Sequence, residues 1–280
     1  MRRGNNRRYD RKSNIRAIKS YGVAVCRYNV AKEQYEMLLV KKRCTYAYVE
    51  FVLGRYNRNS DNAALQMFNH MTNDEKVTIL SLDFGQIYFK VFLVNPDSSN
   101  ADTARISPED LSRFHSYKRH FEHCFLRDGG VKLRRLIDRS KNVETIWEIP
   151  KGRKERDDPQ EKELICATRE VKEEAGIDVD KYEILMDISP RKLVKTDDGV
   201  KWINYIYIGV CNDQNYNPCV RFHHRQQISE VVDVKWMCLD EVRIIDSDNM
   251  LYNFVEICFK LLKKKKKIGK LAKIKAWSNQ

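Results

Sequence analysis

Two short apolar blocks open the pattern. Tyr21 to Tyr28 and Tyr35 to Val40 read as a hairpin of two strands, the second apolar enough to be buried on both faces. Lys41, Lys42 and Arg43 follow it directly. The period then changes. Asn62 to His70 and Asn73 to Leu80 predict helices, with Leu65, Phe68, Met71, Val77 and Leu80 at helical spacing. Gly85 to Val94 is aromatic and strand-like in part, and Asn95 to Asn100 reads as a polar loop. Pro108 to Phe125 and Val131 to Arg139 predict two more helices.

The densest signal lies between 146 and 177. Ile146 to Pro150 is a short apolar run ended by Pro150 and Gly152. After it, Asp158 can cap a helix, Pro159 suits its first position, and Glu161 completes a capping box. Gly176 sits where a helix C-cap favours glycine. Inside that helix Leu164, Ala167, Val171 and Ala175 form a stripe that can bury. Beside it Glu170, Glu173 and Glu174 share roughly a third of the circumference. Three carboxylates on one turn repel each other unless a cation sits among them, and ligands that are all oxygen suit Mg2+ or Mn2+. A solvated acidic face is the plain alternative. The glycine before the helix and Arg169 beside Glu170 weigh against it.

Further on, Tyr182 to Ile188 and Val200 to Val210 predict strands, with Asp197-Asp198-Gly199 as a turn between them. Trp202, Tyr205 and Tyr207 are candidate rings for stacking a purine, although aromatics in strands are mostly core. Asn212 to His224 reads as a loop, and its His223 and His224, lacking acidic or cysteine neighbours, are poor zinc ligands. Ser229 to Trp236 enters another strand, and Asp248 to Leu262 is an amphipathic helix ahead of Lys263 to Lys267.

Charge and composition narrow the partners. A net charge of +13 points to a polyanion, nucleic acid before membrane. The eight cysteines contain no C-x-x-C pair, which fits reduced thiols in a cytosolic compartment. No apolar run approaches a membrane span, and no signal peptide is visible. Residues 1 to 20 form a basic arm and 263 to 280 a basic tail. Lys118, Arg119, Lys132, Arg134 and Arg135 mix with Tyr117, His120 and Phe121, a combination suited to tracking single-stranded RNA. Cations on the solvated face of a packed helix are the alternative.

The run Arg169-Glu170-Val171-Lys172-Glu173-Glu174-Ala175-Gly176-Ile177 resembles the second half of the Nudix box, with Glu161 at its expected distance before Arg169. Gly152 stands three residues further from Glu161 than the usual box has it, so the loop Arg153 to Pro159 is longer. The phrase Trp147-Glu-Ile-Pro-Lys-Gly-Arg153 is similar to that of mRNA-decapping and diphosphoinositol-phosphate Nudix enzymes. The wider chain resembles the decapping branch found in large DNA viruses. The resemblance implies an α+β Nudix α/β/α sandwich from 21–43 and 141–262, with an inserted, mostly helical domain at 44–140. It implies Glu173 and Glu174 as principal ligands of Mg2+ or Mn2+, with Glu170 and the Gly152 carbonyl as further contacts. Arg169 would orient Glu170, Glu161 would pair with Arg169, and Lys151 and Arg153 would meet phosphates. Glu230 falls where decapping relatives carry a catalytic glutamate. The implied reaction removes the 5′ cap from mRNA, giving 7-methyl-GDP and 5′-monophosphate RNA. Action in the host cytoplasm, packaging in the virion and a homodimer through the insert are further expectations. The alternatives are a diphosphoinositol polyphosphate phosphohydrolase and a non-catalytic RNA-binding module.

Overall fold

The structure, a computed structural model, describes residues 16–277 apart from 57–59, 95, 98–105, 145, 156, 198–199, 212, 214, 222–224 and 247–248. Most of the N-terminal arm, the Asp198-Gly199 turn and the two adjacent histidines therefore lie outside the described residues.

A mixed sheet forms the centre. Strand β1 (Arg16–Asn29) begins inside the stretch expected to be an arm. It pairs antiparallel with β2 (Gln34–Lys42) only from Cys26 to Asn29, and parallel with β7 (Val200–Cys211) from Arg16 to Cys26. Before Cys26, the segment holding β3 (Trp147–Glu148) and β4 (Lys151–Gly152) enters between β1 and β2. There Val40 faces Glu148 and Gly22 faces Lys151. Strand β8 (Val231–Met237) covers the other edge of β2, while β5 (Tyr182–Ile184) and β6 (Arg191–Asp197) pair with β7. As expected, β2 is buried on both faces, with Met37, Leu38, Leu39 and Val40 all at 0% exposure.

Helix α7 (Glu163–Ala175) packs one sheet face through Ala167, Val171 and Ala175. The opposite face is covered by α9 (Leu239–Ile245) and α10 (Met250–Trp277), through Val242, Val255, Cys258 and Phe259. This is the expected α/β/α sandwich. A short helix, α8 (Arg225–Glu230), leads into β8, so Glu230 ends a helix rather than lying on the strand. Helix α10 runs on through the lysine run, which was expected to follow it as a tail.

Residues 44–140 carry a core of their own, built by α1 (Tyr46–Val52), α2 (Asp61–Phe68), α3 (Asn73–Ser81), α4 (Phe84–Phe92), α5 (Pro108–Phe121) and α6 (Val131–Asp138), with a short π-helix at Glu122–Leu126. The strand expected within Gly85 to Val94 is helix α4. Asp83 and Gln86 form a reciprocal capping box, and Phe84, Ile87 and Val91 share a buried face. The cap and the 3.6-residue period outweigh the β-propensity of the aromatics. On α3 the expected apolar positions Val77 and Leu80 are exposed, and Glu75, Lys76 and Ile79 face inward. Glu75 accepts hydrogen bonds from Thr45 N–H (2.6 Å) and Thr45 hydroxyl (2.8 Å), which offsets the burial of its carboxylate.

Candidate functional site

Helix α7 starts two residues after Glu161, without the predicted capping box. The Glu161 amide turns back to the Asp158 carbonyl at 3.1 Å, and its carboxylate is taken by Arg169 instead. Gly176, at φ 68°, ends the helix as expected. The last turn is closed by Tyr216 hydroxyl donating to the Gly176 carbonyl (3.0 Å) and by the buried Gln227 side chain donating to the Glu174 carbonyl (3.1 Å).

Two cations hold the carboxylates of this helix. Arg169 donates Nε to Glu161 Oε1 (2.9 Å) and Nη1 to both Glu170 Oε1 and Glu173 Oε2 (2.8 Å each). Its Nη2 reaches Glu161 Oε2 (3.2 Å) and the Arg153 carbonyl (3.0 Å), so the guanidinium ties the loop to the helix. Lys42, at the end of β2, contacts Glu174 Oε1 and lies 3.5 Å from both Glu148 Oε1 and Glu230 Oε2. Lys151 closes the second group, pairing its ammonium with Glu148 and donating its backbone N–H to Glu174 Oε2 (3.1 Å).

Gly152 is a steric requirement. A Cβ there would stand 2.3 Å from the Glu170 carboxylate, so any side chain would displace it. Burial pushes the Glu170 carboxyl up to about 7 against the pull of Arg169, with Glu173 and Glu230 adding to the push. Burial likewise raises Glu174, opposed by Lys42. Burial also acts on Glu148, but Lys151 and Lys42 outweigh it and hold that carboxyl below the usual range. For Lys42 burial favours the neutral amine, and Glu174, Glu148 and Glu230 together overcome it.

Arg169 and Lys42 engage these oxygens, and among the described residues no three His, Cys, Asp or Glu side chains gather around one point. The donor set nevertheless fits a hard divalent ion. Its members are all oxygens, and the burial that disfavours their charge is what a cation among them would offset.

Of the predicted site residues, Glu161, Arg169, Glu170, Glu173, Glu174, Lys151, Gly152 and Glu230 come together, and the Arg153 side chain is exposed at their edge. Lys42 and Glu148 also belong to the group, and sequence reasoning missed both. Glu148 lies inside the Trp147 to Arg153 phrase, and Lys42 stands out in the sequence only as part of a basic trio. Lys118, Arg119, Lys132, Arg134 and Arg135 sit on the inserted helices. There Lys118 pairs with Asp97 (2.8 Å), and Lys132 and Arg135 share Asp61 (2.7 and 3.3 Å). Phe121 is buried in the insert's core, while Tyr117 packs against that core and stays half-buried. Tyr205 stacks on Tyr21 at 5.6 Å, and Trp202 meets Tyr46 edge-on at 5.1 Å.

A mixed sheet between helical layers, with a glycine loop packed on a carboxylate helix, is the Nudix fold. A NUDIX domain model matches residues 118–256, a span that leaves out β1 and β2, which the insert separates from the rest of the sheet. The chain is 31% identical over 240 residues to the mRNA-decapping protein g5R of African swine fever virus, covering 83% of this chain and 89% of that protein. A protein of Acanthamoeba polyphaga mimivirus whose name also refers to mRNA decapping is 25% identical over 232 residues, 75% of this chain and 60% of its own. The crystal structure of a C. elegans Ap4A hydrolase binary complex is similar with a TM-score of 0.39 at 16% identity, covering 86% of this chain and 96% of that one. The chain belongs to the NUDIX family of pyrophosphohydrolases.

Proposed function

We infer that this chain is a viral mRNA-decapping hydrolase that releases 7-methyl-GDP and leaves RNA with a 5′-monophosphate. One observation carries the reading. The Arg169–Glu170–Glu173 and Lys42–Glu174 groups stand intact on a chain that aligns with 89% of a decapping protein. A module that only bound RNA would gain nothing from burying carboxylates at a cost in stability.

In this reading Glu170, Glu173 and Glu174, with the Gly152 carbonyl, hold Mg2+ or Mn2+, and Glu148 stands beside them. Such an ion, when bound, neutralises phosphate charge and makes water more acidic. Arg169 fixes the direction of Glu170 and Glu173. Lys151 and Arg153 meet phosphate oxygens of the cap bridge. Glu230, half-exposed and facing the same ammonium as Glu174, takes the proton of the attacking water. The five cations of the insert contribute to holding the RNA body, with Lys118, Lys132 and Arg135 exchanging Asp97 and Asp61 for phosphates. Capped mRNA is reached in the host cytoplasm. No helix among the described residues is long and apolar enough to cross a membrane. The homodimer expected through the insert finds no support in the relatives.

The test is hydrolysis of cap-labelled RNA by the purified chain with Mg2+ or Mn2+, beside diphosphoinositol polyphosphate. Release of labelled 7-methyl-GDP is expected. Cleavage of the inositol substrate alone would assign the other Nudix activity, and cleavage of neither would favour the binding module.

A further inference from the structure

The lysine run is not used by the site on α7. It lies across the sheet from that helix, where α10 passes the far ends of β1, β2 and β7. A cavity of about 270 Å³ opens there, lined by Tyr28, Tyr35, Leu185, Leu262, Lys265 and Lys266 among others. Tyr28 and Tyr35 are cross-strand partners whose rings meet edge-on at 5.1 Å, and Tyr35 leans on Phe259 at 5.8 Å, so the aromatic wall is braced from behind. Over the open side of Tyr28 stands the Lys266 ammonium, 3.9 Å from the ring centre. Lys263, Lys264 and Lys266 are exposed, and among the described residues the one ion pair of Lys263–Lys266 is Lys265 with Asp187 at 2.6 Å.

A half-buried ring, an apolar floor and neighbouring ammoniums suit a planar base flanked by phosphates. The insert offers less: Phe114, Phe121 and Phe125 are buried in its core and three of its five candidate cations are already paired with carboxylates. A lipid surface is disfavoured, because the aromatic wall is recessed in a cavity beside the lysines. We propose that the Tyr28–Lys266 cavity is a stacking subsite for single-stranded RNA, with Lys263 to Lys265 along the adjoining backbone. A base takes the face of Tyr28, and Lys266 shifts from the ring to a phosphate. Tyr28 lies six residues along β1 from Gly22, which pairs with Lys151, so the subsite is about 20 Å from the carboxylates. It would grip the RNA body rather than the cap. The inference rests on RNA being the substrate, but its test does not depend on cleavage.

The full chain is titrated with a long uncapped oligoribonucleotide across a salt series, and ultraviolet crosslinking to the same RNA is mapped by mass spectrometry. Tyr28→Phe should bind as wild type does. Tyr28→Leu, which keeps an apolar side chain but removes the ring, should bind about tenfold more weakly. Lys265→Gln with Lys266→Gln should reduce the salt slope by about 0.7 for each phosphate no longer neutralised. Crosslinks should fall in the peptide carrying Tyr28. Equal affinity of Tyr28→Leu and Tyr28→Phe, or crosslinks confined to the insert, would overturn the subsite even if decapping is confirmed. Binding to anionic vesicles that depends on Tyr28, beside RNA binding that does not, would overturn it in favour of a membrane contact. Retained Tyr28-dependent RNA binding by a chain that cleaves no cap would uphold the subsite and reject the decapping reading.

Discussion

Arg169 and Lys42 hold the carboxylates of one helix in different ways. Arg169 directs its planar fork at five oxygens, two of them on the buried Glu161 and one on the loop backbone. Its contacts join loop to helix and make sense with or without a metal. Lys42 is a single point charge among Glu174, Glu148 and Glu230, none of which is on its own strand. It balances negative charge without fixing direction, the kind of balance a divalent ion can take over. In the proposed reading the Glu161 and loop contacts of Arg169 remain as architecture, and the charge balance at Lys42 is what a metal would take over.

Arg169→Lys should break the first group outright. One ammonium cannot satisfy Glu161, Glu170 and Glu173 together, and leaving a buried carboxylate unpaired costs about 3–5 kcal/mol. Denaturant unfolding should show that loss, and added Mg2+ should not recover it. Glu230→Gln should slow the chemical step by about a hundredfold with RNA affinity unchanged, since the amide cannot accept a proton. Unchanged single-turnover cleavage would place the base elsewhere. Lys42→Met should cost about 2 kcal/mol without metal, the scale of a lost hydrogen bond to a charged group. Unlike the Arg169 variant, it should be stabilised more strongly by Mg2+ than wild type is. Equal metal response in the two variants would erase the distinction between the groups.

The smallest effect is a control far from the site. Buried Glu36 is held below the usual carboxylate range: burial pushes it up, and hydrogen bonds from Arg27, Lys32 and Asn29 outweigh that push. A carboxyl lowered on folding contributes stability above its unfolded value, about 4.3, and the contribution fades as pH falls through the folded value. Glu36→Gln should lose about 1 kcal/mol at neutral pH and should melt more like wild type in acid. A difference that persists undiminished at low pH would contradict the assignment.

The carboxylate helix was legible because its spacing is local: Glu170, Glu173 and Glu174 need only a helix to share a face. Its start was misread because Glu161, placed correctly for a cap, is claimed by Arg169, a tertiary contact stronger than the local one. Lys42 and Glu148 escaped for a similar reason. They meet only once the chain returns, about a hundred residues later, to wedge β3 between β1 and β2. In the insert, aromatic content suggested strand for α4, while the capping box at Asp83 and the shared core decided for helix. Strand β6 was missed because Arg191 to Asp197 carries little apolar pattern, and its partner β7 supplies the pairing.

Single-turnover hydrolysis of cap-labelled RNA by wild type and by Glu174→Gln tests the central claim most directly. Wild type with Mg2+ or Mn2+ should release 7-methyl-GDP. The variant, which keeps the shape of the side chain and loses its charge, should be slower by about a hundredfold or more while melting no lower than wild type. Cap release by Glu174→Gln at the wild-type rate would contradict the assignment of the site to α7.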